Sequence, residues 1–372
     1  MITMSKNHTS TMSSFNNYLK SIPKITLLTY GESSFNILPE IKTSLINYIL
    51  DNNDKYCLAN GDENTRKIII ELENKKMNTS FNINNIIITN GATEGLYLTF
   101  KALLKENDEV ILFSPYYPEY SDLTNIHNVK KVVVKLDDNY QINDKELVKK
   151  ITKKTKMILL NTPNNPSGVI LNKESLSTIS KIAKKYNLYI VLDLVYDALT
   201  YDKMTYLQQK ETDEKVIIIN SLSKSYNLTG WRLGYCIAND KIIEKMTYIK
   251  QTMNVCMPLF LQKTIKSSLL LKSNYTHIYK KNVDLIYKTL CNLKIKVLYP
   301  QAGFYLFFNI DEFNMTSIEF CKLLAEKFQI GLMPGAYFEK DNYVRISCIL
   351  EYKKMIIVNK KLKKALIQLK RR

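Results

Sequence analysis

The stretch Val216-Ile-Ile-Ile-Asn-Ser221-Leu-Ser-Lys224-Ser-Tyr-Asn-Leu-Thr-Gly230-Trp-Arg232 decides how this chain is read. Its β-branched start marks a buried strand, and the Ser, Lys and Gly beyond it mark a polar turn at the strand's end. Such a turn sets one amine, two hydroxyls and a guanidinium close together at the mouth of a sheet. Apolar walls and a nearby cation make an amine there give up its proton and act as a nucleophile toward aldehydes. Ser221, Ser223 and Arg232 are donors suited to a phosphate dianion. The cluster points to an aldehyde that carries a phosphate. A lysine in a loop is also an ordinary thing in this chain, so the reading depends on what surrounds it.

Working outward, short apolar runs alternate with amphipathic stretches from about residue 40 to 270. Strands are expected at 86–89, 109–113, 131–135, 156–161, 188–193 and 216–220, and helices at 92–105, 173–186 and 241–250. This alternation predicts an α/β layer with a mostly parallel sheet flanked by helices. After residue 272 the pattern changes. A long polar helix to 293 is followed by strands at 297–299 and 304–309, a helix at 317–328 and a strand at 343–347. The expected organisation is a large domain over 41–272, a small α+β domain over 273–372, and residues 1–40 as an N-terminal arm that completes part of the small domain. The first twenty residues, rich in Ser, Thr and Asn, read as a mobile arm.

With 372 residues and 45% hydrophobic content the chain can bury a large core. Its net charge of +18 (53 basic minus 35 acidic) raises nucleic acid or an anionic membrane as a partner. The excess is nearly all lysine, spread among many Asn and Ile, and it follows no helical spacing. We read it as compositional bias, with neither nucleic acid nor membrane expected. Arg66, Arg232, Arg345, Arg371 and Arg372 are the only arginines. In a chain that defaults to lysine, an internal arginine marks a place needing a rigid bidentate fork. The six cysteines show no CxxC spacing, which suits reduced residues of a cytoplasmic protein. The three histidines are isolated, so no metal site is expected.

Further positions carry chemistry. Thr89-Asn-Gly91-Ala92-Thr93-Glu-Gly95 joins a strand to a helix, where free N–H groups and a hydroxyl make an anion cradle; an ordinary capped turn is the plain alternative. Asp193 ends an apolar run, and a carboxylate there needs a cationic partner such as a protonated pyridine nitrogen. It could equally cap the next helix. In Asn161-Thr-Pro-Asn-Asn165-Pro-Ser-Gly168, two prolines and a glycine stiffen a turn and aim its Asn side chains. Arg345, within Tyr343-Val-Arg345-Ile-Ser347, is a half-buried fork suited to a carboxylate, or else to an internal salt bridge.

These stretches resemble the class I/II aminotransferases, the fold-type I enzymes that use pyridoxal 5'-phosphate. Arg232 stands eight positions after Lys224, as in the family's lysine signature. Asp193-Leu-Val-Tyr196 resembles its Asp-Glu-Ile-Tyr, and the Asn161–Gly168 loop its Asn-Pro-x-Asn-Pro-Thr-Gly, with Thr162 and Ser167 as departures. Ser114-Pro-Tyr-Tyr117 matches the Pro-x-Tyr motif, and Ala302-Gly303-Phe304-Tyr305-Leu306 and Pro334-Gly335-Ala-Tyr-Phe338 complete the likeness over about residues 25 to 350.

The resemblance implies roles. Lys224 would form a Schiff base with the cofactor, Asp193 would hold the pyridine proton, and Asn165 and Tyr196 would meet the phenolate oxygen. Gly91, Ala92, Thr93, Ser221, Ser223 and Arg232 would bind phosphate, and Tyr117 would stack on the ring. Arg345, with the Gly31 amide, would take the substrate carboxylate. Tyr56, in a segment like Tyr-x(4)-Gly-x(4)-Arg with Thr65 where Leu is usual, would reach the phosphate of a neighbouring subunit, implying a homodimer. The implied reaction moves an amino group from an L-amino acid to a 2-oxo acid. A lyase, cyclase or oxidase of the same fold could share every one of these residues. A DNA-binding regulator would need a helix-turn-helix segment, for which the stretch before residue 25 is too short and polar.

Overall fold

The computed structural model describes residues 11–51, 54–207, 214–271 and 275–370. Seven strands make the central sheet, in the order Ile86–Asn90, Leu233–Ile237, Val216–Ser221, Tyr189–Asp193, Thr155–Asn161, Glu109–Ser114 and Lys130–Lys135. All pairings are parallel except those of Leu233–Ile237, which runs antiparallel to both neighbours. The inner strands are near-continuous apolar runs because both faces are covered, whereas the edge strand Lys130–Lys135 is largely exposed. Ile111 and Phe113 belong to one buried cluster, while Val110 and Leu112 belong to the cluster on the opposite face.

Helix ends follow their local sequence. Asn172 caps Lys173–Tyr186 by accepting from the Ser175 N–H at 2.8 Å, and Asn187 ends it in the left-handed region. Thr316 and Glu319 form a capping box at the start of Ser317–Phe328. No helix among the described residues is long and apolar enough to cross a membrane.

A second layer is built by C-terminal elements together with the N-terminal segment. Met333–Pro334, Tyr343–Ser347 and Tyr305–Asn309 make a three-stranded antiparallel sheet. The helices Thr276–Asn292, Ser317–Phe328 and Tyr352–Lys370 pack with it around one buried cluster. Phe15, Leu19 and Leu28 lie in that same cluster, and Thr26–Leu27 pairs with Ile330–Gly331.

Three differences from the sequence reading have physical causes. From Thr11 to Lys20 the expected mobile arm is a helix, because Phe15 and Leu19 lie one turn apart and bury together; residues 1–10 lie outside the described residues. The strand expected at 297–299 shrinks to a single bridge between Val297 and Phe308, next to Pro300, which offers no N–H to a ladder. Leu233–Ile237 is a strand that the alternation of apolar runs does not predict. Its Gly234 weakens the strand signal yet is required, since an added Cβ would lie 2.6 Å from the Gly91 carbonyl carbon.

Candidate active site

The carboxyl ends of Thr155–Asn161, Tyr189–Asp193 and Val216–Ser221 open onto a cavity of about 600 Å³, closed on its far side by the small sheet. A site at this edge is where parallel sheets bind ligands, since strand ends deliver side chains and helix starts deliver N–H groups. Lys224 stands just past the end of Val216–Ser221, half-buried, with Nζ donating to the Gly31 carbonyl oxygen at 2.8 Å. Among the described residues no carboxylate forms an ion pair with it. The amine is held by a neutral backbone acceptor.

Asp193 is buried at the end of its strand. Its Oδ2 accepts from the Tyr120 hydroxyl at 2.6 Å, and Oδ1 accepts from the Val195 N–H at 3.2 Å. Burial raises its carboxyl from 3.8 to about 6, against the pull of Tyr120, Val195 and Lys224. A carboxylate in that state gains much from a cation beside it, as a protonated pyridine would be.

Arg232 adopts a left-handed backbone and lays its guanidinium over Gly91. A Cβ on Gly91 would lie 2.6 Å from Arg232 Nη2, so the glycine admits the guanidinium to the start of the helix Gly91–Leu103. Arg232 Nη1 donates to the Thr229 carbonyl at 2.9 Å and Nη2 to the Asn90 carbonyl at 3.5 Å, both neutral acceptors, which leaves its charge for an anion. Ala92, Thr93, Ser221 and Ser223 line the same end of the cavity, and Ser221 Oγ accepts from the Ser223 N–H at 3.1 Å. Behind this cradle Glu94 accepts from the Asn90 N–H at 2.6 Å and pairs with the fully buried Lys250 at 2.7 Å. That support carries no signal in the sequence.

Arg345 is 1% exposed and has no carboxylate partner among the described residues. Nη1 donates to Asn165 Oδ1 at 2.7 Å, Nη2 donates to the Thr29 carbonyl, and Nε has no partner. Its Cζ lies 4.2 Å from the Tyr305 ring centroid and 4.9 Å from that of Phe338. A buried guanidinium satisfied by neutral acceptors and rings alone is costly, and a ligand carboxylate would complete it. With Oδ1 engaged, the amide N–H groups of Asn165 remain as its donors. The Asn165 N–H itself donates to Asn161 Oδ1 at 2.6 Å, which stiffens the turn.

Tyr196 is buried, and its hydroxyl lies 3.0 Å from that of Tyr305. Burial, then the neighbouring Tyr305, pushes it well above the ordinary tyrosine value, so it keeps its proton and can donate. Tyr117 lines the cavity and meets Tyr120 edge-on at 5.6 Å.

The structure thus brings Gly31, Ala92, Thr93, Tyr117, Asn165, Asp193, Tyr196, Ser221, Ser223, Lys224, Arg232 and Arg345 to one cavity, with Gly91 beneath Arg232. Tyr56 stands apart and is 85% exposed. Arg66 clamps the carbonyls of Gly61 and Ile83 at 3.1 and 2.7 Å, so this internal arginine serves the fold. Sequence reasoning missed Tyr120 and Tyr305. Tyr120 stands three residues after Tyr117, in the first turn of Glu119–Ile126, and Tyr305 lies in the Ala302–Leu306 stretch, where nothing in the sequence distinguishes it from its aromatic neighbour.

The donor set fits pyridoxal phosphate. A free amine, a buried carboxylate short of a cation, a glycine-floored cradle under a guanidinium and an uncompensated arginine match its aldehyde, pyridine nitrogen, phosphate and amino-acid partner. Comparison with known proteins agrees. The family model described as aminotransferase class I and II matches residues 23–356. The aspartate aminotransferase of Pyrococcus horikoshii is 33% identical over 91% of this chain and 90% of its own. A probable N-acetyl-LL-diaminopimelate aminotransferase of Bacillus subtilis is 30% identical over 90% of this chain and 87% of its own. The crystal structure of the Thermotoga maritima aspartate aminotransferase superposes with a TM-score of 0.91 at 27% identity, covering 96% and 97% of the two chains.

Proposed function

The chain belongs to the class I and II aminotransferases, and from that premise we infer how its own residues carry out the transfer. It is a pyridoxal phosphate-dependent enzyme that moves an amino group from an L-amino acid to a 2-oxo acid. When bound, the cofactor supplies an aldehyde that takes up amines and a cationic ring that accepts the electrons of a broken C–H bond.

Lys224 would anchor the cofactor through Nζ, and the same amine would hold the proton taken from the substrate α-carbon. Asp193 holds the ring nitrogen's proton, and Tyr120 keeps its carboxylate oriented. Tyr196 and the amide of Asn165 donate to the phenolic oxygen. Arg232, Ser221, Ser223 and the first N–H groups of Gly91–Leu103 receive the phosphate, and Tyr117 covers the ring face. Arg345 and the Gly31 backbone grip the α-carboxylate, which fixes the α-carbon relative to Lys224.

The observation that carries this reading is the buried Arg345, uncompensated by any carboxylate of the described chain, in the same cavity as Lys224 and Asp193. The test is a donor panel with 2-oxoglutarate, begun with aspartate because the Pyrococcus relative is named for it. Neutral donors belong on the panel too, since Lys224, Arg232 and Arg345 are the only cations among the described lining residues. Transamination gives parallel double-reciprocal lines when donor and acceptor are varied. Release of pyruvate and ammonia without acceptor would contradict it and favour an eliminating lyase.

We also infer a homodimer in which Tyr56 serves the neighbouring subunit. Tyr56 has no part in its own cavity, and nearby Leu50 and Leu58 are 72% and 59% exposed. A sedimentation mass of one chain would remove this. Six free thiols suit a reducing compartment, and we place the enzyme in the cytoplasm.

A further inference from the structure

Tyr305 touches both halves of the site. It begins the strand Tyr305–Asn309, and Arg345 stands opposite Phe307 on the neighbouring strand. Tyr305 and Arg345 are therefore diagonal neighbours on one face, within reach of a long side chain. The ring of Tyr305 supports the Arg345 guanidinium at 4.2 Å, while its hydroxyl lies 3.0 Å from that of Tyr196. Tyr305 is 2% exposed, packed edge-on against Phe304 at 4.7 Å and Tyr196 at 5.6 Å, so neither end is free to move.

Two facing hydroxyls hold two protons, and only one can lie between the oxygens. If Tyr305 donates to Tyr196, the Tyr196 proton is free to point into the cavity. If Tyr196 donates, its proton is spent on Tyr305. An anionic phenolic oxygen beside Tyr196 selects the first arrangement, and the bond received from Tyr305 then makes Tyr196 a stronger donor.

We propose that Tyr305 is a positioning residue, its hydroxyl fixing the Tyr196 proton toward the cofactor's phenolic oxygen and its ring fixing Arg345 for the substrate carboxylate. The proposal rests on the roles given above to Tyr196 and Arg345.

The test uses holoenzyme and reads the pH midpoint of the cofactor's visible absorption. Donation into the phenolic oxygen stabilises it without its shared proton, so weakening that donation raises the midpoint. Tyr305→Phe keeps the ring and loses the hydroxyl; we expect its midpoint to rise by about half a pH unit. Tyr196→Phe should raise it further, and Tyr196→Phe with Tyr305→Phe should equal Tyr196→Phe alone, because the hydroxyl acts only through its neighbour. For the donor amino acid, Tyr305→Phe should leave KM within about twofold of wild type, whereas Tyr305→Leu should raise it roughly tenfold. An unshifted Tyr305→Phe beside a shifted Tyr196→Phe overturns the proposal and leaves the site assignment standing. An unshifted Tyr196→Phe removes Tyr196 from the phenolic oxygen, and the proposal with it. Equal KM values in Tyr305→Phe and Tyr305→Leu would refute the ring's part.

Discussion

The Tyr120 hydroxyl donates to Asp193 Oδ2 at 2.6 Å, joining the first turn of one helix to the end of a strand 73 residues further on. A hydrogen bond to a buried carboxylate is worth about 1.5–3 kcal/mol. Tyr120→Phe removes it without changing the ring. Cofactor affinity, read by fluorescence titration of cofactor-free protein, should fall by roughly tenfold. An unchanged affinity would show that Tyr120 merely fills space.

Asp193 also makes a pH prediction for the cofactor-free protein. Burial raises its folded value from 3.8 to about 6, so the folded state binds the proton more tightly than the unfolded chain. Its contribution to stability is therefore full below about pH 4 and is lost as pH rises through about 6. Two pKa units correspond to about 3 kcal/mol. Asp193→Asn should erase this slope, becoming progressively more stable than wild type between pH 4 and 7.5 in urea titrations. A difference independent of pH would contradict the burial argument.

Arg345→Ala should raise KM for every α-amino acid donor roughly 100-fold, the loss of two charge-assisted bonds. Arg345→Lys should recover only part, because a point charge cannot reproduce the fork. Steady-state kinetics with one donor decide this, and wild-type saturation in Arg345→Ala would take the residue out of the substrate site.

Gly31 approaches the catalytic amine closely. A Cβ there would overlap the Tyr305 hydroxyl oxygen and lie 3.1 Å from Lys224 Nζ. Gly31→Ala should lower kcat/KM by roughly tenfold or more, the added methyl displacing Tyr305 or the catalytic amine. Gly230→Ala is the control, since nothing lies within 4 Å of its added Cβ. Equal activity in the two variants would contradict the close approach.

Sequence was most informative where an apolar run stops. Lys224 and Asp193 stand out because a polar group at or just past the end of a buried strand has few structural reasons to be there. Glycine turns announce the cradle for the same reason. Tyr120 and Tyr305 stayed hidden because 25 tyrosines make any one of them unremarkable until its hydroxyl has a partner. Arg66 and Arg345 looked alike as rare internal arginines. Only their acceptors separate them, two backbone carbonyls for one and an incomplete shell for the other. The antiparallel Leu233–Ile237 was obscured by its glycine, whose purpose lies in a contact with Gly91 across the sheet.

The claim beneath all of this is that the Lys224 side chain is the covalent anchor of the cofactor. Reducing the yellow holoenzyme with borohydride and mapping the modified peptide by mass spectrometry tests it directly. The account predicts one phosphopyridoxyl group, on Lys224, and none in a folded Lys224→Ala protein. A label on another lysine, or none on wild type, would contradict it.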